Sequence, residues 1–110
     1  NFIKMENRFQ KSLEILEILE EYEFRLITMG IKPRKIFFRK YFLKIELNKN
    51  DILKHVYYLI LETKKYKKDE YYFAKLNQTL GAVQAFLLMT GEISILDSLY
   101  SNKKIKISKN

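Results

Sequence analysis

A chain of 110 residues, 47% of them apolar, with 21 Lys and Arg against 13 Asp and Glu, can bury one core without staples and is too apolar for a disordered segment. Having no Cys, it has no disulfide framework, no thiolate metal site and no Cys nucleophile. The net charge of +8 favours acidic partners: nucleic acid, an anionic surface or an acidic protein patch.

With charges at Lys4, Glu6, Arg8 and Lys11 no leader peptide is expected, and no run reaches the roughly 18 apolar residues of a membrane span. The expectation is a cytoplasmic, all-α, compact bundle of four to five helices. One helical domain spans residues 1–100, and residues 101–110 form a basic flexible tail. With only three Gly and one Pro, turns are few and helices long.

The first helix is predicted from Met5 to Thr28. Met5, Phe9, Leu13, Leu16, Leu19, Leu26 and Ile27 are assigned to its inner face, and Glu14, Glu17, Glu20, Glu21 and Glu23 to its outer side. Gly30 suits the position just past the helix, and Pro33 the first turn of the next. That second helix is predicted from Arg34 to Leu47. Phe37, Phe38, Tyr41, Phe42 and Ile45 form one stripe, and Ile36, Leu43 and Leu47 another, so it requires two packing neighbours.

A third helix starts at Asn48, whose side chain can cap it, with Leu47 stapling to Ile52. Ile52, Leu53, Val56, Leu59 and Ile60 face inward, and Lys64 to Lys68 make the connection. The fourth helix is expected to begin with Asp69 as its cap and to end before Gly91. Its stripe is Tyr72, Phe73, Leu76, Leu80, Val83 and Leu87, and its other side carries Ala74, Gly81 and Ala85. No charge stands between Lys75 and Glu92, so this helix is expected to be covered on most sides, with Asn77, Gln78 and Gln84 largely buried. Ser94 and Asp97 are spaced as a capping box for a short fifth helix carrying Ile95, Leu96 and Leu99.

Charge is unevenly distributed. Residues 1–31 are net −2, 32–47 net +5, 48–69 net +3, 70–100 net −2 and the tail net +4. A short turn joins the acidic first helix to the basic second, which predicts that they pack antiparallel. The candidate binding residues are therefore Arg34, Lys35, Arg39, Lys40 and Lys44, with Lys64, Lys65, Lys67 and Lys68 around Tyr66. Clustered cations bind phosphates, and interleaved aromatics stack on unpaired bases. No helix-turn-helix turn, zinc-finger spacing or phosphate-cradling Gly loop accompanies them.

The residues that enzymes use are sparse. His55 is the single His and has no Ser or Cys partner in its sequence neighbourhood. The glutamates of the first helix have no Glu-x-x-His companions and read as a solvated face. The expectation is a protein that is not an enzyme and takes no metal and no cofactor.

Asn77, Leu80, Gly81, Gln84, Leu87 and Gly91 form a pattern that resembles one in small helical accessory proteins of tailed phages and prophages. In those an Arg-aromatic pair follows the Asn; here Gln78 and Thr79 stand there. The resemblance spans residues 77–99 of this chain, and that family has no assigned chemistry. It implies a mobile-element origin and an accessory role. The functional expectation is a small binding protein, of the kind that blocks a host defence or nucleic-acid-handling complex through a basic surface. The alternatives are a protein that binds the DNA or RNA phosphate backbone directly, and a homo-oligomeric structural adaptor that pairs through the second or fourth helix.

Overall fold

The computed structural model describes residues 2–37, 48–94 and 96–98, with side chains from residue 7 onward. Three long helices carry the fold: α1 (Phe2–Thr28), α2 (Lys49–Lys64) and α3 (Tyr72–Thr90). A short helical turn at residues 96–98 follows, and no strand occurs among the described residues. Among the described residues the fold is all-α, with three long helices and one short one; the expected four- to five-helix count reaches into residues outside them. Of the second predicted helix, residues 38–47 lie outside the described residues, as do Met5 as a side chain, Ile95, Leu99 and the tail at 101–110.

Local signals set most of the helix ends. Asn48 accepts the Asp51 amide at 2.8 Å, satisfying one of the free donors at the start of α2. Gly30 and Gly91 both take left-handed φ values, 76° and 79°. Each closes its helix in the same way. Ile31 N–H reaches Leu26 O at 3.0 Å and Glu92 N–H reaches Leu87 O at 2.9 Å, the long-range bond of a Schellman cap. Ser94 and Asp97 form the reciprocal capping box: each side chain accepts the other's amide at 3.1 Å.

The helices meet around one core. Ile15, Leu19, Tyr22 and Leu26 of α1, Leu53, Val56 and Ile60 of α2, and Leu76, Leu80, Val83 and Leu87 of α3 are buried together, closed at one end by Ile93. Helices α2 and α3 form an antiparallel hairpin. Near its closed end the Thr63 and Thr79 hydroxyls share a 2.6 Å hydrogen bond, and at its open end Lys49 pairs with Glu92. Helix α1 runs parallel to α3. Gln84 donates to the Tyr22 hydroxyl at 3.2 Å, and farther along Arg25 donates to Glu92 O at 3.3 Å.

Four expectations are corrected. First, α1 begins at Phe2 and buries a stripe rotated from the expected one: Ser12, Ile15, Ile18, Leu19, Tyr22, Glu23 and Leu26 face inward, while Phe9, Leu13 and Ile27 are exposed. The helix is apolar on two sides, and the position of α2 and α3 decides which is covered. Second, residues 34–37 form no helix. Pro33 holds Lys32 away from helical angles. Beyond it the Arg34 amide donates to Lys54 O at 3.1 Å, and the Ile36 amide to His55 Nδ1 at 3.1 Å. These bonds to α2, with Ile36 buried, outweigh local helix propensity.

Third, the cap of α3 lies two residues after the expected site, at Tyr71, and the helix begins at Tyr72. Asp69 acts one turn earlier: its carboxylate accepts the Tyr71 amide at 2.9 Å. Fourth, α3 is not covered on most sides. Asn77, Gln78, Ala74, Gly81 and Ala85 are exposed, and among the buried polar residues of this helix Gln84 is the one the sequence anticipated. A methyl group at Gly81 would meet no neighbour within 4 Å.

Candidate interaction surface

The connection between α2 and α3 presents a dense group of cations. It is an ordered turn. Tyr66 N–H donates to Thr63 O, Asp69 N–H to Lys67 O and Tyr72 N–H to Asp69 O, at 3.1, 2.9 and 3.1 Å. These bonds leave the side chains of residues 64–71 in solvent. Lys75 Nζ lies 5.6 Å from the centre of the Tyr66 ring, so that half-open aromatic already carries a cation on one face.

The predicted cations differ in what they already hold. Lys64 donates to Glu23 at 2.9 Å, and this hydrogen bond raises its pKa above 10.5. Glu23, assigned to the outer side of the first helix, is buried, and Lys64 is its counter-charge. Lys65 stands 3.6 Å from Glu62, one helical turn back. Lys67 and Lys68 enter no ion pair among the described residues.

Arg34 and Lys35 belong to the non-helical segment that is hydrogen-bonded to α2 at Lys54 and His55. The Arg34 amide bonds at Lys54, ten residues before Lys64, which places the two basic groups about 15 Å apart along the helix. Lys35 Nζ lies 5.1 Å from the Phe37 ring centre and 6.0 Å from that of Tyr58. The described cations thus form two separate groups. Arg39, Lys40 and Lys44 lie outside the described residues.

A groove beside the 65–71 connection escaped the sequence reading. Phe9, Ser12, Leu13 and Leu16 of α1 and Tyr72 and Phe73 at the start of α3 line it, with Arg8, Lys68, Asp69 and Glu70 at its edges. Its volume is about 580 Å³. Phe9 is 66% exposed and Leu13 41%. The signal lay in the spacing of Phe9, Leu13 and Leu16, at i, i+4 and i+7, a complete apolar stripe beside the one that builds the core. The Tyr72 hydroxyl is buried without a hydrogen-bond partner among the described residues.

His55 is buried and ties Ile36 to α2. Its Nδ1 accepts the Ile36 amide, its ring stacks on Tyr58 with centres 6.0 Å apart, and Phe86 approaches edge-on at 5.8 Å. An acceptor Nδ1 places the proton of the neutral ring on Nε2. Burial, then the nearby Lys35 charge, hold its pKa below 6.5. Glu17, Glu20 and Glu21 stand together in solvent around Phe24 and Arg25, and no group of three metal-ligating side chains occurs among the described residues. None of the described helices is long and apolar enough to cross a membrane. Comparison with protein families, with curated proteins and with solved structures found no match to this chain.

Proposed function

We propose that this protein is a small non-enzymatic binding protein that engages an acidic macromolecule through the basic connection between α2 and α3. The observation that carries this reading is the pair Lys67 and Lys68, held in solvent on a hydrogen-bonded turn with no carboxylate paired to either among the described residues. A charge left over from composition alone needs no ordered turn beneath it. Arg34 and Lys35 supply a second contact about 15 Å away, a spacing suited to an extended or large partner. The phage-type resemblance of residues 77–99 supports an accessory or inhibitory role against a host complex.

A second reading is direct binding of single-stranded nucleic acid. Tyr66 and Tyr71, 43% and 65% exposed, flank the lysines as stacking platforms would. The test for both is fluorescence anisotropy with labelled single- and double-stranded DNA and RNA at about 50 and 200 mM salt. Contact with 6–10 phosphates loses about 10³–10⁵ in affinity across that range. Such a slope, abolished by Lys67→Glu with Lys68→Glu, identifies nucleic acid as the partner. No binding at the lower salt rejects the nucleic-acid reading and leaves an acidic protein as the target. A doubly reversed variant that binds its partner undiminished refutes the basic-surface reading itself.

A further inference from the structure

We infer that the groove between α1 and the start of α3 is a docking site for a protein segment that is both acidic and apolar, such as an amphipathic helix with Asp or Glu beside Leu or Phe. The inference rests on the basic-surface reading above and names the class of partner for that surface. The groove and the basic turn are continuous, because Lys68 belongs to both.

The floor favours a protein over nucleic acid, and the volume and rim fit an acidic and apolar segment. The floor is apolar: Leu16 and Phe73 are half-buried, and Phe9 and Leu13 stand open to solvent on one stripe of α1. Phosphates gain nothing from burying aliphatic side chains, whereas a Leu or Phe anchor of a protein partner does. The volume of about 580 Å³ is that of a site taking one or two large side chains. The rim also favours carboxylates. Arg8 and Lys68 stand at it, and Lys65 and Lys67 extend the positive charge along the turn. Two acids, Asp69 and Glu70, also stand at the rim, so the four bases exceed them by two, and Glu70 favours a partner that carries a base at one position.

The probe is a displayed library of random dodecapeptides, selected on the full chain. Enriched peptides are expected to combine Asp or Glu with Leu, Phe or Trp. They should bind Leu13→Glu at least about tenfold more weakly, since that change removes one apolar contact and sets a carboxylate in the groove. Leu13 lies at the surface, so the helical circular dichroism of the variant should be unchanged. Arg8→Glu with Lys68→Glu, both exposed, gives an independent loss of similar size. Enriched peptides without acids, peptides indifferent to both variants, or no enrichment each overturn the inference. Labelled oligo-dT titrated into the same proteins separates the two proposals. Binding to oligo-dT that survives Leu13→Glu but not Lys67→Glu with Lys68→Glu, alongside a failed selection, leaves the basic surface standing and removes the groove. Failure of both probes overturns the groove and rejects nucleic acid, and leaves the basic surface to be judged by the doubly reversed variant.

Discussion

Lys64 opens the basic sequence run, yet the fold uses it differently from its neighbours, and that difference is measurable. Its ammonium donates to the Glu23 carboxylate at 2.9 Å; the two side chains are 37% and 12% exposed. Replacing Lys64 by Met keeps the stem and leaves a mostly buried carboxylate unpaired. The cost falls between the near-zero value of an exposed pair and the 3–5 kcal/mol of a fully buried one, so about 1–3 kcal/mol. For a chain of 110 residues, each kcal/mol moves the melting temperature by about 4 °C. Lys64→Met is therefore expected to melt roughly 4–12 °C lower. Lys67→Met, at an exposed position with no ion pair, should stay within about 0.5 kcal/mol of the parent. A thermal melt followed by circular dichroism reads both. Adding Glu23→Gln should recover much of the loss, because a neutral amide buries more cheaply than an unpaired carboxylate. Equal melting temperatures for Lys64→Met and Lys67→Met would refute the structural role of the pair. The raised Lys64 pKa fixes the alkaline limit: the pair's contribution is complete below pH 10.5 and is lost as pH rises through the higher folded value.

His55 and Gly81 give two further tests. The folded His55 resists protonation, with a pKa below 6.5, so the unfolded chain binds a proton that the folded chain rejects. Stability is expected to be full above pH 6.5 and to fall as pH drops below it, and His55→Gln should flatten that slope in urea titrations at about pH 7.5 and about pH 5. Gly81 lies on the exposed face of α3 with open space where a methyl would sit, so Gly81→Ala should stabilise by about 1 kcal/mol and raise the melting temperature by about 4 °C. A loss of stability instead would mean that another surface packs against Gly81, as a second copy pairing through the small-residue face of α3 would require.

What the sequence made legible is local. Asn48, Gly30, Gly91 and the Ser94–Asp97 pair act within one turn of themselves, so their chemistry is written in adjacent residues, and all cap as read. The inner stripe of α3 was equally plain, because its opposite side carries small and polar residues and the choice of face is forced. On α1 it was not forced. Phe9, Leu13 and Ile27 compete with Ile15, Leu19 and Leu26 for the core, and periodicity cannot say which stripe wins. Glu23 was misassigned for a related reason. Its burial depends on Lys64, 41 residues away, and no local pattern announces such a pair. At residues 34–37 a long-range bond to His55 overrode an apparently helical pattern, as tertiary contacts commonly override propensity.

These misreadings share an origin with the proposed site. A helix with two apolar stripes and one bundle to join must leave a stripe outside. On α1 the excluded stripe faces the turn where Lys67 and Lys68 stand unpaired, and Lys68 lines the groove it forms. Burial of the other stripe, together with the Glu23–Lys64 pair, fixes α1 against the α2–α3 hairpin. Stability and binding are therefore separable along a run of five residues. Charge removal at Lys64 should act through the fold, whereas at Lys67 and Lys68 it should act on the partner alone. A change at Lys64 that weakens binding without lowering the melting temperature would place this residue on the binding surface and break that division.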